Sequence, residues 1–477
     1  MSSSKQVKNR KGKAMDHNKI NINSPISNKL IGQVDAMSKE EVDSIIGKAR
    51  KSWPEWNNKS SSERMKYLYR AAELLLERAD ELSDLMVLEV GKDKKSAYSE
   101  VVRTAEMIQS TADIAKSLNG GMIPADNFPG GAKGKFAITK RESLGVVLAV
   151  SPFNYPVNLA ASKIAPALVA GNVVVFKPAT QGSLSGIFLA NVFKEAGIPD
   201  GVLSVVTGKG SEIGDYIVTH AGIDFINFTG STEVGQHIAS QSRMIPLLME
   251  LGGKDAAIVL EDADLELAAK HIVAGAFSYS GQRCTAIKRI LVLESKAEDL
   301  IKKILVRLGE LKVGNPIDTK DGIDVVPLIS QNAADFVEEL IVDAKEKGAK
   351  VLFGGQREGN LIHPTLLDHV TTDMRVAWEE PFGPVLPILR VKSMEEAIDL
   401  ANQSEYGLQS AVFTTDMNKA LEVAEKLEVG TVQINNKTER GPDNLPFLGV
   451  KNSGLGVQGI QYSIEAMTRL KSTVINL

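Results

Sequence analysis

A regular alternation of apolar runs and amphipathic stretches between residues 145 and 250 constrains the fold of this chain more than any other feature. Helical patterns separate five runs of strand length, at residues 145–151, 173–177, 202–206, 224–228 and 246–250. Strands joined through single helices pair in parallel with right-handed crossovers. The alternation therefore predicts an α/β fold with a doubly wound parallel sheet.

A second α/β series follows residue 253 and shares no obvious repeat with the first. Its strands are predicted at residues 256–260, 289–293, 385–391, 409–414 and 431–435. We therefore expect two different α/β domains with a ligand cleft between them. Before the first series, apolar periodicity predicts helices over residues 39–49 and 63–90, separated at Pro54. Alternating segments at residues 135–141 and 467–477 are typical of exposed strands, and the second could pair with the first or with another subunit.

Composition excludes several classes of protein. The 477 residues carry a formal charge of -4, which argues against nucleic acid as the main partner, and no apolar run approaches the ~18 residues of a membrane span. Residues 1–16 are basic without an apolar core, which excludes a secretory signal and leaves a flexible solvated tail or a transit peptide. The single cysteine, Cys284, fits a reducing compartment, so we expect a cytoplasmic protein.

Polar residues at the predicted carboxyl ends of strands are candidates for a ligand site, among them Asn154, Lys177 and Glu250. The glycine motifs at residues 208–214 and 230–235 match neither the dinucleotide fingerprint nor a P-loop, and each alone is more typical of a plain turn. Taken singly, a cysteine is more often an inert core thiol and Glu250 more often an ordinary strand-end carboxylate, although the polar GQR before Cys284 argues against a core position.

Six motifs, taken together in their order along the chain, favour functional roles for Cys284 and Glu250. They are SPFNYP at 151–156, KPAT at 177–180, FTGSTEVG at 228–235, ELGGK at 250–254, GQRC at 281–284 and EPFGP at 380–384. From residue 22 onward the chain resembles the aldehyde dehydrogenase superfamily. The resemblance implies a variant Rossmann cofactor domain (17–117 and 139–249), an α/β catalytic domain (250–463) and small oligomerisation strands (118–138 and 464–477).

The resemblance also implies roles for individual residues. Cys284 would be the nucleophile, Glu250 the base that activates water, and Asn154, with the Cys284 backbone N–H, the oxyanion donor. No metal is implied. Lys177 would reach the adenosine ribose, Glu380 the nicotinamide ribose and Ser231 the pyrophosphate. Thr180 stands where many NAD-preferring relatives carry an acid, which favours NADP over NAD. The implied cofactor-binding set is Ser151, Pro152, Phe153, Lys177, Thr180, Gly210, Gly230, Ser231, Glu380 and Phe382.

Further stretches, EVVRTAE at 100–106, WEEPFGP at 378–384 and QINNKTERGP at 433–442, resemble the non-phosphorylating glyceraldehyde-3-phosphate dehydrogenase branch. In that branch Arg103, Tyr155, Arg283 and Arg440 would surround the substrate phosphate. The implied reaction is irreversible NADP-dependent oxidation of glyceraldehyde 3-phosphate to 3-phosphoglycerate, through a cysteine thioester hydrolysed by water. A homotetramer, built as a dimer of dimers, is implied as well.

Other functions stay open at this point. The substrate could be another small phosphorylated, acidic or hydroxy aldehyde. A Cys-His hydrolase or acyltransferase would need a histidine beside the thiol, and none of the six histidines stands in a recognisable catalytic setting. A non-catalytic binding or structural protein on the same fold is the remaining alternative.

Overall fold

A computed structural model describes residues 18–117, 120–318 and 322–477. The predicted basic tail, residues 1–16, lies outside the described residues, and so do the first two residues of the predicted oligomerisation segment 118–138. Within the described ranges, no helix is long and apolar enough to cross a membrane.

The first sheet confirms the predicted doubly wound arrangement. Its strands are, in spatial order, Gly454–Leu455, Leu247–Glu250, Phe225–Thr229, Val146–Val150, Val173–Lys177 and Leu203–Val205. All neighbours pair in parallel except Gly454–Leu455, which runs antiparallel to its neighbour. The strand order reverses between Val146–Val150 and Phe225–Thr229, so a crevice opens there at the carboxyl ends. Helices Asn158–Val169, Ser183–Glu195, Gly210–Thr219 and Thr232–Gln241 join the strands.

Four N-terminal helices pack beside this sheet: Lys39–Asn58, Ser61–Glu77, Ala79–Val90 and Lys94–Ile114. The predicted break at Pro54 is wrong, because the first helix continues through the proline. Beyond Pro54, Trp56 is buried and its indole N–H donates to the Leu168 carbonyl at 3.1 Å, and this anchoring outweighs the lost backbone hydrogen bond. The helix ends where Ser60 caps the next one.

The second sheet contains the five strands predicted after residue 253 and two that sequence reasoning missed. Its spatial order is Lys350–Phe353, Thr365–Asp368, Val385–Val391, Arg289–Leu293, Ala256–Val259, Gln409–Phe413 and Thr431–Ile434. The two missed strands, Lys350–Phe353 and Thr365–Asp368, lie at one edge and pair antiparallel with each other. Its helices are Leu265–Phe277, Glu294–Gly309, Gln331–Glu346, Met394–Asn402 and Met417–Lys426.

A third sheet joins Gly121–Pro124, Lys135–Ser143 and Thr468–Asn476. The C-terminal strand pairs antiparallel with Lys135–Ser143 along its whole length, which confirms one of the two pairings expected for it. The remaining elements are the strands Lys19–Asn23, Leu30–Asp35, Arg357–Glu358, Leu361–Ile362, Tyr406–Gly407 and Val450–Lys451, and the helix Ile460–Ala466. The strand Gly454–Leu455 completes the first sheet although it was predicted within the catalytic domain, and the domain boundaries stay predictions.

Candidate active site

A cavity of about 810 Å³ lies at the carboxyl ends of the first sheet. It opens at the reversal of strand order, where an open α/β sheet binds its ligands. Asn154 and Cys284 line it, and Cys284 lies in the segment between strands Ala256–Val259 and Arg289–Leu293 of the second sheet. All ten predicted cofactor-binding residues line it as well: Ser151, Pro152, Phe153, Lys177, Thr180, Gly210, Gly230, Ser231, Glu380 and Phe382.

Cys284 stands on a strained turn that follows helix Leu265–Phe277. Tyr279, Ser280 and Gly281 have φ angles of 51°, 56° and 69°, a left-handed conformation that side chains other than glycine rarely adopt. Two side chains of this turn hold it in place through hydrogen bonds to other segments of the chain. The Tyr279 hydroxyl donates to the Val90 carbonyl at 2.8 Å, and the Ser280 hydroxyl donates to the Val326 carbonyl at 2.7 Å. The turn thus presents Cys284 to the cavity in one orientation.

The Cys284 thiol is held in its protonated form by its surroundings. Burial raises its pKa to about 11, an effect that the positive charge of Lys288 opposes. The Lys288 ammonium donates to the Cys284 carbonyl and pairs with Glu380 at 2.9 Å. The reactive thiolate therefore requires a proton acceptor close to the sulfur.

Asn154 follows strand Val146–Val150 and lies beside the turn that carries Cys284. Its Nδ2 donates to the Gln282 carbonyl at 2.9 Å, which uses one of the two amide hydrogens. Its backbone carbonyl accepts from the buried ammonium of Lys92 at 2.8 Å, and that ammonium also pairs with Glu100. The second amide hydrogen is thus available to an oxygen bound near Cys284.

Glu250 ends strand Leu247–Glu250 and is buried, with 2% of its surface exposed. Neither of its carboxylate oxygens has a hydrogen-bond partner among the described residues. Burial raises its pKa to about 8, against the opposing positive charges of Arg440 and Lys163. A carboxyl group with these properties can take up a proton near neutral pH, as a general base must.

Lys163 is a candidate functional residue that the sequence analysis did not identify. It lies in the middle of helix Asn158–Val169, is fully buried, and its Nζ donates to the Thr229 hydroxyl at 2.7 Å. Burial and, to a smaller extent, the charge of Arg440 lower its pKa to about 7, against the opposing charge of Glu250. A lone lysine in an otherwise apolar helix was the available signal.

The wall residues of the cavity fit a dinucleotide. Lys177 is buried, and its ammonium makes no hydrogen bond or ion pair with any residue that the structure describes. Burial alone lowers its pKa. Ser231 caps helix Thr232–Gln241, whose N-terminus favours an anion. Glu380 lies against Gly252, where an added Cβ would come within 2.2 Å of the carboxylate. In the described ranges, no group of three or more His, Cys, Asp or Glu side chains could hold a metal ion.

A second cavity of about 600 Å³ contains part of the predicted phosphate site. Arg103 and Tyr155 line it together. Arg440 lies near Arg103, since the carboxylate of Asp443 contacts both. Neither Arg440 nor Arg283 is among the described residues that line either cavity, and the Arg283 guanidinium donates to the Gly275 carbonyl.

Comparison with known proteins agrees with this geometry. The family model described as "Aldehyde dehydrogenase family" matches residues 13–473. The NADP-dependent glyceraldehyde-3-phosphate dehydrogenase of Streptococcus equinus is 56% identical over 96% of both chains, and the Pisum sativum protein of that name is 49% identical over 96% of this chain and 92% of its own.

A solved structure of the NADP-dependent glyceraldehyde-3-phosphate dehydrogenase from Bacillus halodurans C-125, complexed with NADP, has a TM-score of 0.95 and 55% identity to this chain. The match covers 99% of this chain and 97% of that one. The chain belongs to the aldehyde dehydrogenase family.

Proposed function

We propose that this chain oxidises glyceraldehyde 3-phosphate to 3-phosphoglycerate with NADP, without inorganic phosphate. One observation carries the proposal: Asn154 lines the cavity that holds Cys284, whereas the adjoining residue, Tyr155, lines the second cavity with Arg103. A small aldehyde spanning these two neighbours would place its carbonyl at the thiol and its phosphate at the arginine. The similarity to NADP-dependent glyceraldehyde-3-phosphate dehydrogenases supports the same substrate and cofactor.

The proposed reaction begins when the Cys284 thiol gives its proton to solvent and the sulfur adds to the aldehyde carbon. The Asn154 amide then holds the resulting oxyanion, an interaction typically worth 10²–10³ in rate. Bound NADP supplies the hydride acceptor. Once the thioester has formed, Glu250 takes a proton from water, and the hydroxide equivalent displaces Cys284 and releases the carboxylate. The displaced Cys284 thiolate takes the proton from Glu250, so the enzyme returns to its starting form.

Preference for NADP follows from the charges at the adenosine end of the first cavity. The unpaired Lys177 ammonium attracts a 2′-phosphate, and Thr180 carries no charge to repel it. NAD would leave the buried ammonium without an anionic partner, which is unfavourable.

The substrate phosphate is proposed to bind Arg103, Tyr155 and Arg440, with Arg283 as a fourth contact. The contacts of Arg103 and Arg440 with one shared carboxylate support their part in this group. Arg283 has weaker support, because its guanidinium is engaged with the Gly275 carbonyl.

For the assembly we propose a homotetramer, built as a dimer of dimers. The third sheet supports it, because large apolar side chains are exposed there, including Met122, Ile138, Leu470 and Val474. We infer a cytoplasmic location from the single cysteine, which fits a reducing compartment.

The deciding experiment is NADP reduction by the purified chain without inorganic phosphate, with glyceraldehyde 3-phosphate, unphosphorylated glyceraldehyde and other phosphorylated or acidic aldehydes. We expect one NADPH for each 3-phosphoglycerate formed and the highest specificity constant for glyceraldehyde 3-phosphate. Cys284→Ala is the control and should show no turnover. A higher specificity constant for another aldehyde would transfer the assignment to that substrate.

A further inference from the structure

Asp443 lies between two of the arginines proposed to bind the substrate phosphate. Its carboxylate accepts two hydrogen bonds from Arg103, from Nε at 2.9 Å and from Nη2 at 2.8 Å. The same carboxylate is 3.7 Å from Nε of Arg440. The Asp443 side chain is 10% exposed and the Arg103 side chain 36%, so the carboxylate is shielded from solvent while the guanidinium is partly open to it.

Arg103 depends on this carboxylate for its orientation. It comes from helix Lys94–Ile114, and among the described residues Asp443 is its only hydrogen-bonding partner. Both bonds use one edge of the guanidinium, which leaves donors on the other nitrogen free. Burial by itself would lower the pKa of Arg103, but the hydrogen bonds and charge of Asp443 outweigh it and leave that pKa raised.

Arg440 is held on two further sides. Its Nη1 donates to the Gln458 side-chain oxygen at 2.7 Å, and its guanidinium lies 5.0 Å from the centre of the Phe447 ring. Asp443 is itself fixed, since its backbone carbonyl accepts from the Ile460 N–H at 2.9 Å. The Asp443 carboxylate therefore links Arg440, which other residues also hold, to Arg103, which has no other hydrogen-bonding partner among the described residues.

We propose that Asp443 is a positioning residue that sets the selectivity for phosphorylated aldehydes by holding Arg103 and Arg440 in one geometry. The inference rests on the proposed function. Two arginines and one carboxylate carry a net charge of +1, less than the arginines alone would offer a phosphate dianion. The Asp443 carboxylate thus weakens the electrostatic attraction for the phosphate, but the arginine donors are already oriented before the substrate binds.

The test compares Asp443→Asn with the unmodified chain, measuring kcat and KM for glyceraldehyde 3-phosphate and for glyceraldehyde with saturating NADP. Asparagine keeps the shape but replaces one acceptor with a donor that faces the guanidinium. The ratio of the two specificity constants should fall about 10- to 100-fold, mainly through a higher KM for the phosphorylated substrate. Asp443→Glu, which keeps the charge, should retain an intermediate ratio.

Asp368→Asn is the matched control. Asp368 accepts from Arg390 in the same two-bond arrangement, at 3.1 and 2.7 Å, but it ends strand Thr365–Asp368 of the second sheet and lines neither cavity. It should lower the thermal midpoint without changing the selectivity ratio.

The outcomes separate the two proposals. If the unmodified chain does not prefer the phosphorylated aldehyde, the proposed function is wrong. If it does, and Asp443→Asn keeps or improves the preference, Asp443 does not position the arginines. If Asp443→Asn does not fold, Asp443→Glu decides, and an unchanged ratio in that variant counts against the inference.

Discussion

The Glu250→Gln variant should be more stable than the unmodified protein, by an amount that grows as the pH rises. It should also be unable to complete the catalytic cycle. Burial raises the pKa of Glu250 to about 8 from an ordinary value of 4.5, and neither carboxylate oxygen has a hydrogen-bond donor among the described residues. The folded protein binds this proton more tightly than the unfolded chain does. Glu250 therefore contributes stability below pH 4.5, and that contribution is lost as the pH rises through 8.

The size of the effect follows from the same two pKa values. One pH unit corresponds to about 1.4 kcal/mol, so the free energy of unfolding contributed by Glu250 falls by roughly 5 kcal/mol between pH 4.5 and pH 8. Glutamine is neutral throughout and has nearly the same shape. The stability gained by Glu250→Gln should thus be small at pH 5, grow by pH 7 and level off above pH 8.

Thermal unfolding at a fixed scan rate, from pH 5 to pH 9, measures this gain. Glu89→Gln is the matched control, because Glu89 is also buried with a raised pKa but accepts four hydrogen bonds, from Gly182, Leu184 and Ser185. That variant should lose stability, since its amide nitrogen would face donors.

In rapid mixing, Glu250→Gln should release about one equivalent of NADPH and then stop, because hydride transfer precedes the step that needs activated water. A stability gain that does not change with pH would refute the raised pKa. Absence of the burst would show that Glu250 also acts before the thioester forms.

Three further substitutions test other parts of the site. Asn154→Ala should lower kcat by about 10²–10³, as loss of one oxyanion donor usually does, and a loss below about tenfold in steady-state assays would indicate another donor. Thr180→Glu should shift the ratio of specificity constants from NADP towards NAD, because a carboxylate repels the 2′-phosphate and accepts from a ribose hydroxyl; an unchanged ratio would contradict this role. Arg440→Leu should cost one to two decades in specificity constant for glyceraldehyde 3-phosphate, and an equal loss with glyceraldehyde would make Arg440 purely structural.

The local sequence pattern was sufficient to predict the strands, whose formation depends on neighbouring residues in the chain. The valine-rich run Val173–Lys177 and its counterparts form strands within two residues of the predicted bounds, because fully buried parallel strands require continuous apolar residues. Motifs likewise identified Asn154 and Cys284, which the structure brings to one cavity. Pattern failed at Pro54, where the burial of Trp56 keeps the helix intact.

Only the tertiary structure decided the electrostatics of the site. The raised pKa of Glu250 and the lowered pKa of Lys163 depend on burial and on the charge of Arg440, a residue distant from both in the chain. The contact between Arg103 and Asp443 joins residues 340 positions apart. Strand and helix formation depend on the neighbours of a residue in sequence, whereas desolvation and charge pairing depend on its neighbours in space, and the folded chain alone determines those.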